Sequence, residues 1–160
     1  MLKYTDYDIV FSEIPDETTF AINISNCPNR CPGCHSPQLM QDIGELLTEN
    51  SLSKLIDKYI DGITCVCFMG GDREPQEINK LAAFIKKKYR NIKIGWYSGK
   101  SELPPDFNTD VFNYIKLGPY IATLGGLKSK TTNQHLYKYG ENQNIEDITY
   151  RFWNYKQNTE

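Results

Sequence analysis

Three cysteines lie within eight residues of this 160-residue chain, at Cys27, Cys31 and Cys34. Their spacing, C-x3-C-x2-C, allows three thiolates of one short loop to face a common centre, and the prolines and the glycine between them favour tight turns. Thiolates are soft ligands that suit zinc or iron–sulfur clusters. The chain has five cysteines in all, an odd number, so the pattern favours metal binding over a framework of disulfides.

The ligand types alone leave the kind of metal centre open. A structural zinc site needs four ligands, and either His35 or His135 could supply the fourth. An iron–sulfur cluster is also usually held by four cysteines, so three cysteines would leave one iron free to bind a substrate. The remaining alternative is a set of buried or loosely reactive thiols, although three cysteines in one loop make a poor core pattern.

Two further turns carry residue types that suit a binding site. Gly70-Gly71-Asp72 follows one apolar run, and Ser98-Gly99 follows another. Glycines let backbone carbonyls come close to a ligand because no Cβ intervenes, whereas Asp72 can fix the turn or cap the next helix. Ser98 can form a hydrogen bond to a cofactor. The same residues are equally typical of ordinary turns after strands.

Alternating and continuous apolar runs predict the elements that position these turns. Strands are expected at residues 7–12, 18–25, 63–69, 92–97 and 114–117, and amphipathic helices at 51–60 and from Pro75 onward. Residues 145–153 fit both a helix and a strand. This order predicts an α/β fold with right-handed βαβ units, a mostly parallel sheet and an N-terminal β-hairpin. Because ligands bind at the carboxyl ends of parallel strands, the cysteine loop and both turns are expected to meet there.

Length and composition fit a soluble globular protein, with a single domain over residues 1–160. The formal net charge of -2 gives no reason to expect a nucleic acid or a membrane as a partner. No apolar run approaches the ~18 residues that a membrane span needs, and residues 1–10 lack the apolar stretch of a signal peptide. A cytoplasmic location is therefore expected.

Four segments, in the same order, resemble one known family. They are Cys31-Pro32-Gly33-Cys34, Phe68-Met69-Gly70-Gly71-Asp72, Trp96-Tyr97-Ser98-Gly99 and Thr131-Thr132-Asn133-Gln134. Together with the cysteine spacing, they are similar to segments of the activating proteins of anaerobic ribonucleoside-triphosphate reductases. These activases are radical S-adenosylmethionine enzymes, and the resemblance covers residues 7–138.

The resemblance implies a complete reaction. Cys27, Cys31 and Cys34 would hold a 4Fe–4S cluster, whose open iron would bind the amino and carboxylate groups of S-adenosylmethionine. One electron from the reduced cluster, supplied by a low-potential donor such as flavodoxin, would cleave the sulfonium to methionine and a 5′-deoxyadenosyl radical. That radical would take a hydrogen atom from a glycine Cα of the partner reductase and leave a glycyl radical there. The resemblance further implies a partial (βα) barrel of the radical S-adenosylmethionine type.

The resemblance also implies which residues bind the cofactor. In chain order these are Gly70, Gly71, Asp72, Ser98, Asn133 and Gln134. Asn133 and Gln134 would contact the adenosyl group or the glycine loop of the partner, although the sequence alone favours an ordinary polar segment there. The chain departs from the family at Leu117-Gly118, where an Asp-Gly pair is usual, so no acidic contact is expected at that position. Lys116 changes the local charge but receives no role from the sequence.

Two other functions fit the same residues. The first is activation of a different glycyl radical enzyme, such as pyruvate formate-lyase, against which the short chain, the Pro-Gly pair and the Asn-Gln pair argue. The second is a non-enzymatic electron-transfer or zinc module that uses Cys65, Cys67 or a histidine as the fourth ligand. Cys65 and Cys67 lie two apart on a predicted strand and so share one face, which favours buried structural thiols.

Overall fold

The computed structural model describes residues 1–33 and 37–154. Within these residues eight strands form one sheet: β1 (Lys3–Val10), β2 (Thr19–Ile24), β3 (Glu45–Leu46), β4 (Cys65–Met69), β5 (Lys93–Tyr97), β6 (Tyr114–Leu117), β7 (His135–Tyr139) and β8 (Ile145–Asp147). The α-helices of the same residues are α1 (Glu49–Tyr59), α2 (Pro75–Lys88) and α3 (Arg151–Asn154). The strands lie in the order β3-β1-β2-β4-β5-β6-β7-β8.

The sheet is mixed, which corrects the fold class expected from the sequence. The pairs β1–β2, β1–β3, β6–β7 and β7–β8 are antiparallel, and the pairs β2–β4, β4–β5 and β5–β6 are parallel. The expectation of a mostly parallel sheet in a partial (βα) barrel was therefore wrong. The cause lies in the connections, because the described chain has no α-helix between β6 and β8, and a parallel crossover usually needs one.

The parallel strands carry the helices on one face. Thr48 caps the N-terminus of α1 and forms a capping box with Ser51, and Pro75 occupies the first turn of α2. The apolar stripes of both helices pack on alternate residues of the strands in a first core, which includes Phe20, Ile22, Leu52, Ile56, Val66, Phe68, Ile78, Leu81, Ile94 and Trp96. This packing sets the positions of the loops that follow β2, β4 and β5.

The opposite face of the sheet carries a second core. Cys65 and Cys67 point to this face because successive strand residues alternate between the two sides. Their neighbours in the second core are Ile14, Tyr97, Tyr114, Leu136 and Ile148. The chain before β2 and the chain around β7 and β8 therefore cover the face that α1 and α2 leave open.

Two parts of the sheet were not predicted from the sequence. They are β3, which pairs with β1 over two residues of each strand, and β7, which pairs with both β6 and β8. Residues 145–153, whose sequence fitted both a helix and a strand, contain the strand β8 and most of the short helix α3. The helices of the described ranges include none that is both long and apolar enough to cross a membrane.

Candidate metal centre

The carboxyl ends of β2, β4 and β5 bring three segments of the sequence together. The cysteine loop follows β2, Gly70-Gly71-Asp72 follows β4, and Ser98-Gly99 follows β5. In the parallel register Asn23 lies opposite Met69, and Met69 lies opposite Tyr97. The three segments therefore start side by side at one edge of the sheet.

The carboxylate of Asp72 joins these segments. Its Oδ1 accepts a hydrogen bond from Ser98 Oγ at 2.5 Å. Its Oδ2 accepts hydrogen bonds from the Gly99 backbone N–H at 2.8 Å and from Asn29 Nδ2 at 2.6 Å. Hydrogen bonds to an ionised acceptor are among the stronger ones in proteins. Asp72 therefore fixes the cysteine loop against the ends of β4 and β5.

Backbone contacts hold the beginning of the cysteine loop. The N–H groups of Asn26 and Cys27 donate to the carbonyls of Gln41 and Leu39, at 2.9 and 2.8 Å. Arg73 Nε donates to the Asn26 carbonyl at 3.0 Å, which ties the loop to the turn after β4. The first cysteine is thus held from both sides by groups outside the loop.

The turn after β4 depends on its two glycines. Gly70 and Gly71 have φ angles of 107° and 96°, in the left-handed region that other residues rarely adopt. The Gly70 carbonyl accepts a hydrogen bond from Trp96 Nε1 at 2.7 Å. A carbonyl oxygen has two lone pairs, so one remains for a further donor.

A cavity of about 160 Å³ lies against the cysteine loop. Of the site residues predicted from the sequence, those that line it are Cys27, Cys31, Gly70, Asp72 and Gln134. Ser98 is joined to the cavity wall through its hydrogen bond to Asp72, whereas Gly71 and Asn133 are not among the residues that line it. Asn29, Gly99 and Lys116 also line the cavity, and none of these three was predicted as a site residue.

Lys116 places a buried cation in this cavity wall. Its Nζ donates to the carbonyls of Ser98 and Gly118, at 2.9 and 3.0 Å. Burial lowers the pKa of Lys116 to about 8, while the negative charge of Asp72 acts in the opposite direction. No ion pair between described residues involves Lys116. Since an ammonium has three donors, one N–H remains for an anionic group.

A wider cavity of about 970 Å³ lies next to the first, on the second face of the sheet. It shares Lys116, Tyr120 and Gln134 with the small cavity. Its walls combine apolar and polar side chains, among them Ser12, Glu13, Met69, Tyr97, Leu127, Lys128 and Phe152. The two cavities together provide space for a ligand that extends away from the cysteine loop.

The two polar residues before β7, Asn133 and Gln134, have different surroundings. Gln134 is buried, and its Nε2 donates to the Gly118 carbonyl at 3.4 Å. Asn133 Nδ2 donates to the Pro119 carbonyl at 3.0 Å, and its Oδ1 is buried without a partner among the described residues. Gln134 therefore borders the cavities, whereas Asn133 holds the segment that follows β6.

The alternative metal ligands lie apart from the loop. Cys65 and Cys67 are fully buried in the second core, and burial raises the pKa of both thiols. His135 Nδ1 lies 2.9 Å from Asp147 Oδ2, across the β7–β8 pair. Within residues 1–33 and 37–154, no group of three or more His, Cys, Asp or Glu could hold a metal ion. The predicted ligand Cys34 and the neighbouring His35 fall outside the described residues.

The described part of the donor set fits an iron–sulfur cluster. Cys27 and Cys31 are free thiols, partly buried, and both line the small cavity. Soft thiolates beside the buried cation of Lys116 suit an anionic cluster, because the cation offsets the negative charge that the thiolates and the cluster carry.

Sequence reasoning missed Asn29 and left Lys116 without a role. Asn29 carries a signal, since it is a polar side chain between two cysteines of the loop. Lys116 also carries one, because a charged residue stands in an otherwise apolar strand, Tyr114–Leu117. Neither signal identifies a contact, which depends on how the loops pack.

Comparison with known proteins identifies a family for most of the chain. A family model described as a 4Fe-4S single cluster domain matches residues 18–146. This range includes the cysteine loop, both glycine turns, Lys116 and Gln134. No curated protein and no solved structure matches the chain.

Proposed function

We propose that this chain, which belongs to the 4Fe-4S single cluster domain family, is a radical S-adenosylmethionine activase. Its proposed partner is the anaerobic ribonucleoside-triphosphate reductase, on which it generates a glycyl radical. The family establishes an iron–sulfur protein with a domain that binds a 4Fe–4S cluster. The use of S-adenosylmethionine and the identity of the partner are the proposal.

One observation carries the proposal: Cys27 and Cys31 share a cavity with the turn after β4. Three cysteines leave one iron of a 4Fe–4S cluster without a protein ligand. Cys65 and Cys67, the alternative ligands, are instead buried in the second core. An iron without a protein ligand beside a cavity favours substrate binding over electron transfer alone.

Residues around the cavity suit an amino acid cofactor. The free lone pair of the Gly70 carbonyl can accept a hydrogen bond from an ammonium group, and the remaining N–H of Lys116 can donate to a carboxylate. Asp72 holds the loops in place and has both oxygens occupied by hydrogen bonds. When bound and reduced, the cluster supplies the single electron that cleaves the sulfonium of S-adenosylmethionine.

The wider cavity supports a macromolecular substrate. It adjoins the small cavity through Lys116 and Gln134 and has an apolar part formed by Met69, Leu127 and Phe152. A peptide segment with a glycine at its tip would bring a Cα–H close to the cofactor without a side chain between them. A low-potential protein such as flavodoxin is proposed as the electron donor.

The first experiment measures cleavage of S-adenosylmethionine. The protein is purified without oxygen, reconstituted with iron and sulfide, reduced with dithionite and mixed with S-adenosylmethionine, and 5′-deoxyadenosine is then quantified. The wild type is expected to form it. Cys31→Ala is expected to abolish its formation, and the matched control Cys65→Ala, which removes a thiol from the second core, is expected to retain it.

The outcomes separate the alternatives. A fully loaded, reducible cluster that forms no 5′-deoxyadenosine, even with the reductase present, contradicts the activase and favours an electron-transfer protein. Zinc without iron in the purified protein favours a structural module. With cleavage established, electron paramagnetic resonance of the reductase and of pyruvate formate-lyase after incubation shows which of them gains a glycyl radical. A signal in the lyase alone would replace the proposed partner.

A further inference from the structure

Asn29 lies between the first cysteine of the loop and the carboxylate that anchors the loop. Its Nδ2 donates to Asp72 Oδ2 at 2.6 Å and lies 3.6 Å from Cys27 Sγ, within hydrogen-bond range of sulfur. We infer that Asn29 is a positioning residue that donates an N–H to the Cys27 thiolate of the cluster and thereby raises the reduction potential of the cluster. This inference rests on cluster ligation by Cys27, as the proposed function does, but it does not depend on S-adenosylmethionine.

The number of donors on the side chain permits both contacts at once. An asparagine amide has two N–H groups on one nitrogen. One of them is directed to the carboxylate of Asp72, so the other is free to point to Cys27 Sγ. A carboxylate oxygen accepts hydrogen bonds only from N–H or O–H groups. The Asn29 amide must therefore turn its nitrogen, and not its oxygen, towards Asp72, and the same nitrogen then lies next to Cys27 Sγ.

Gly99 makes this arrangement possible. A Cβ placed at Gly99 would lie 2.5 Å from Asn29 Nδ2 and 3.4 Å from Asp72 Oδ2. The backbone N–H of Gly99 binds the same carboxylate oxygen that accepts from Asn29. The end of β5 therefore packs directly on the amide, and any larger residue at position 99 would displace it.

The expected consequence is electrostatic. Reduction adds one electron to the cluster and no bond is formed or broken, so the added negative charge is shared by the sulfur ligands. A hydrogen bond to a ligand sulfur stabilises that charge and favours the reduced form. Loss of the Asn29 N–H should therefore make the cluster harder to reduce.

The test is a redox titration without S-adenosylmethionine. The reconstituted protein is titrated with dithionite, and the reduced cluster is followed by electron paramagnetic resonance. Asn29→Ala is expected to lower the equilibrium constant for reduction about tenfold, which is about 59 mV for one electron. Asn79→Ala is the matched control. Asn79 lies in α2 and forms hydrogen bonds with the backbone of Asn108, so this variant should leave the potential unchanged.

A second variant leaves Asn29 in place. Gly99→Ala is expected to shift the potential in the same direction, since its Cβ displaces the amide. Wild type labelled with ¹⁵N in its asparagine side chains is expected to show a weak ¹⁵N coupling to the reduced cluster. That coupling should disappear in Asn29→Ala.

The inference is overturned if Asn29→Ala binds a full cluster at the wild-type potential. If Asn29→Ala binds no cluster, two other results overturn the inference: an unchanged potential in Gly99→Ala, or no ¹⁵N coupling to the reduced cluster in the wild type. A failure to cleave S-adenosylmethionine, in contrast, would contradict the proposed function and leave these measurements intact.

Discussion

Ser98 Oγ donates a hydrogen bond of 2.5 Å to Asp72 Oδ1 and so joins the ends of two neighbouring parallel strands. The register of β4 and β5 places Met69 opposite Tyr97, so the residues that follow them start close together. The other oxygen of Asp72 continues the connection to Asn29 in the cysteine loop. Asp72 therefore links the described part of the cysteine loop to the ends of β4 and β5.

Replacement of Asp72 should loosen the metal centre. Asp72→Ala removes three hydrogen bonds and is expected to lower the free energy of unfolding by about 2 kcal/mol. It should also speed the loss of iron to an external chelator, because the cysteine loop loses its side-chain hydrogen bond to Asp72 and keeps only the contact between Arg73 and the Asn26 carbonyl at this edge. The rate of iron release measures the effect.

Ser98→Ala provides the matched comparison. It removes one of the three hydrogen bonds to Asp72 and also the acceptor of the Lys100 N–H, so the destabilisation should be about 1–2 kcal/mol and the release of iron only slightly faster. Asp72→Ala protein that releases iron at the wild-type rate would contradict the anchoring role of the carboxylate.

The convergence of the site loops follows from local patterns in the sequence. The apolar run that became Cys65–Met69 and the alternation that became Lys93–Tyr97 both lead into glycine-containing turns. Parallel strands end at the same edge, so a correct assignment of these strands already brings the turns together.

The sheet as a whole could not be predicted in the same way. His135–Tyr139 forms β7 with mostly polar and aromatic residues and a single fully buried side chain, Leu136, so its periodicity is weak. Its pairing with β6 is a long-range contact that no local pattern specifies. The partners of Lys116 depend likewise on the backbone of Ser98 and Gly118, which the sequence does not place.

Removal of both core thiols should leave the metal centre in place. The double variant of Cys65→Ala and Cys67→Ala is expected to bind wild-type amounts of iron, while Cys27→Ala should lose the cluster. The core variant should be less stable by about 1–3 kcal/mol, since each replacement leaves a small cavity. Iron analysis and circular dichroism measure both effects, and a folded double variant without iron would favour the four-ligand module.

In the cluster-free protein, the buried charge of Lys116 should lower the free energy of unfolding. Because burial lowers the pKa of Lys116 to about 8 from its ordinary value of 10.5, the folded state disfavours the charged form. Below pH 8 the lysine is charged in both states, so cluster-free Lys116→Met avoids a charge-burial cost of up to about 3 kcal/mol. The variant also loses the donor to the carbonyls of Ser98 and Gly118, so its net gain in stability should be smaller. Denaturant unfolding without oxygen measures the difference.

The advantage of Lys116→Met should shrink as the pH rises from 8 towards 10.5. In this window the unfolded wild type binds more protons than the folded form, so the stability of the wild type increases with pH. A difference that stays constant between pH 7.5 and pH 9.5 would contradict a buried, titrating ammonium. Binding of the cluster should favour wild type over the variant, because the ammonium then faces negative charge.

Glu17 should make the free energy of unfolding depend on pH. It lies at the amino ends of the parallel strands, opposite the end that carries the cysteine loop. Its buried carboxylate accepts hydrogen bonds from Thr64, Lys93 and Tyr114, at 2.7, 2.8 and 2.7 Å. Burial alone would raise the pKa of Glu17, but these contacts outweigh it and lower the pKa below its ordinary value of 4.5. A lowered pKa means stability that is fully present above pH 4.5 and is lost as the pH falls through the folded-state value.

Glu17→Gln should therefore cost about 1–3 kcal/mol at pH 7, and the acid unfolding curves of the two proteins should converge below pH 4.5. A difference that stays the same at low pH would show that the loss comes from packing and not from the charge.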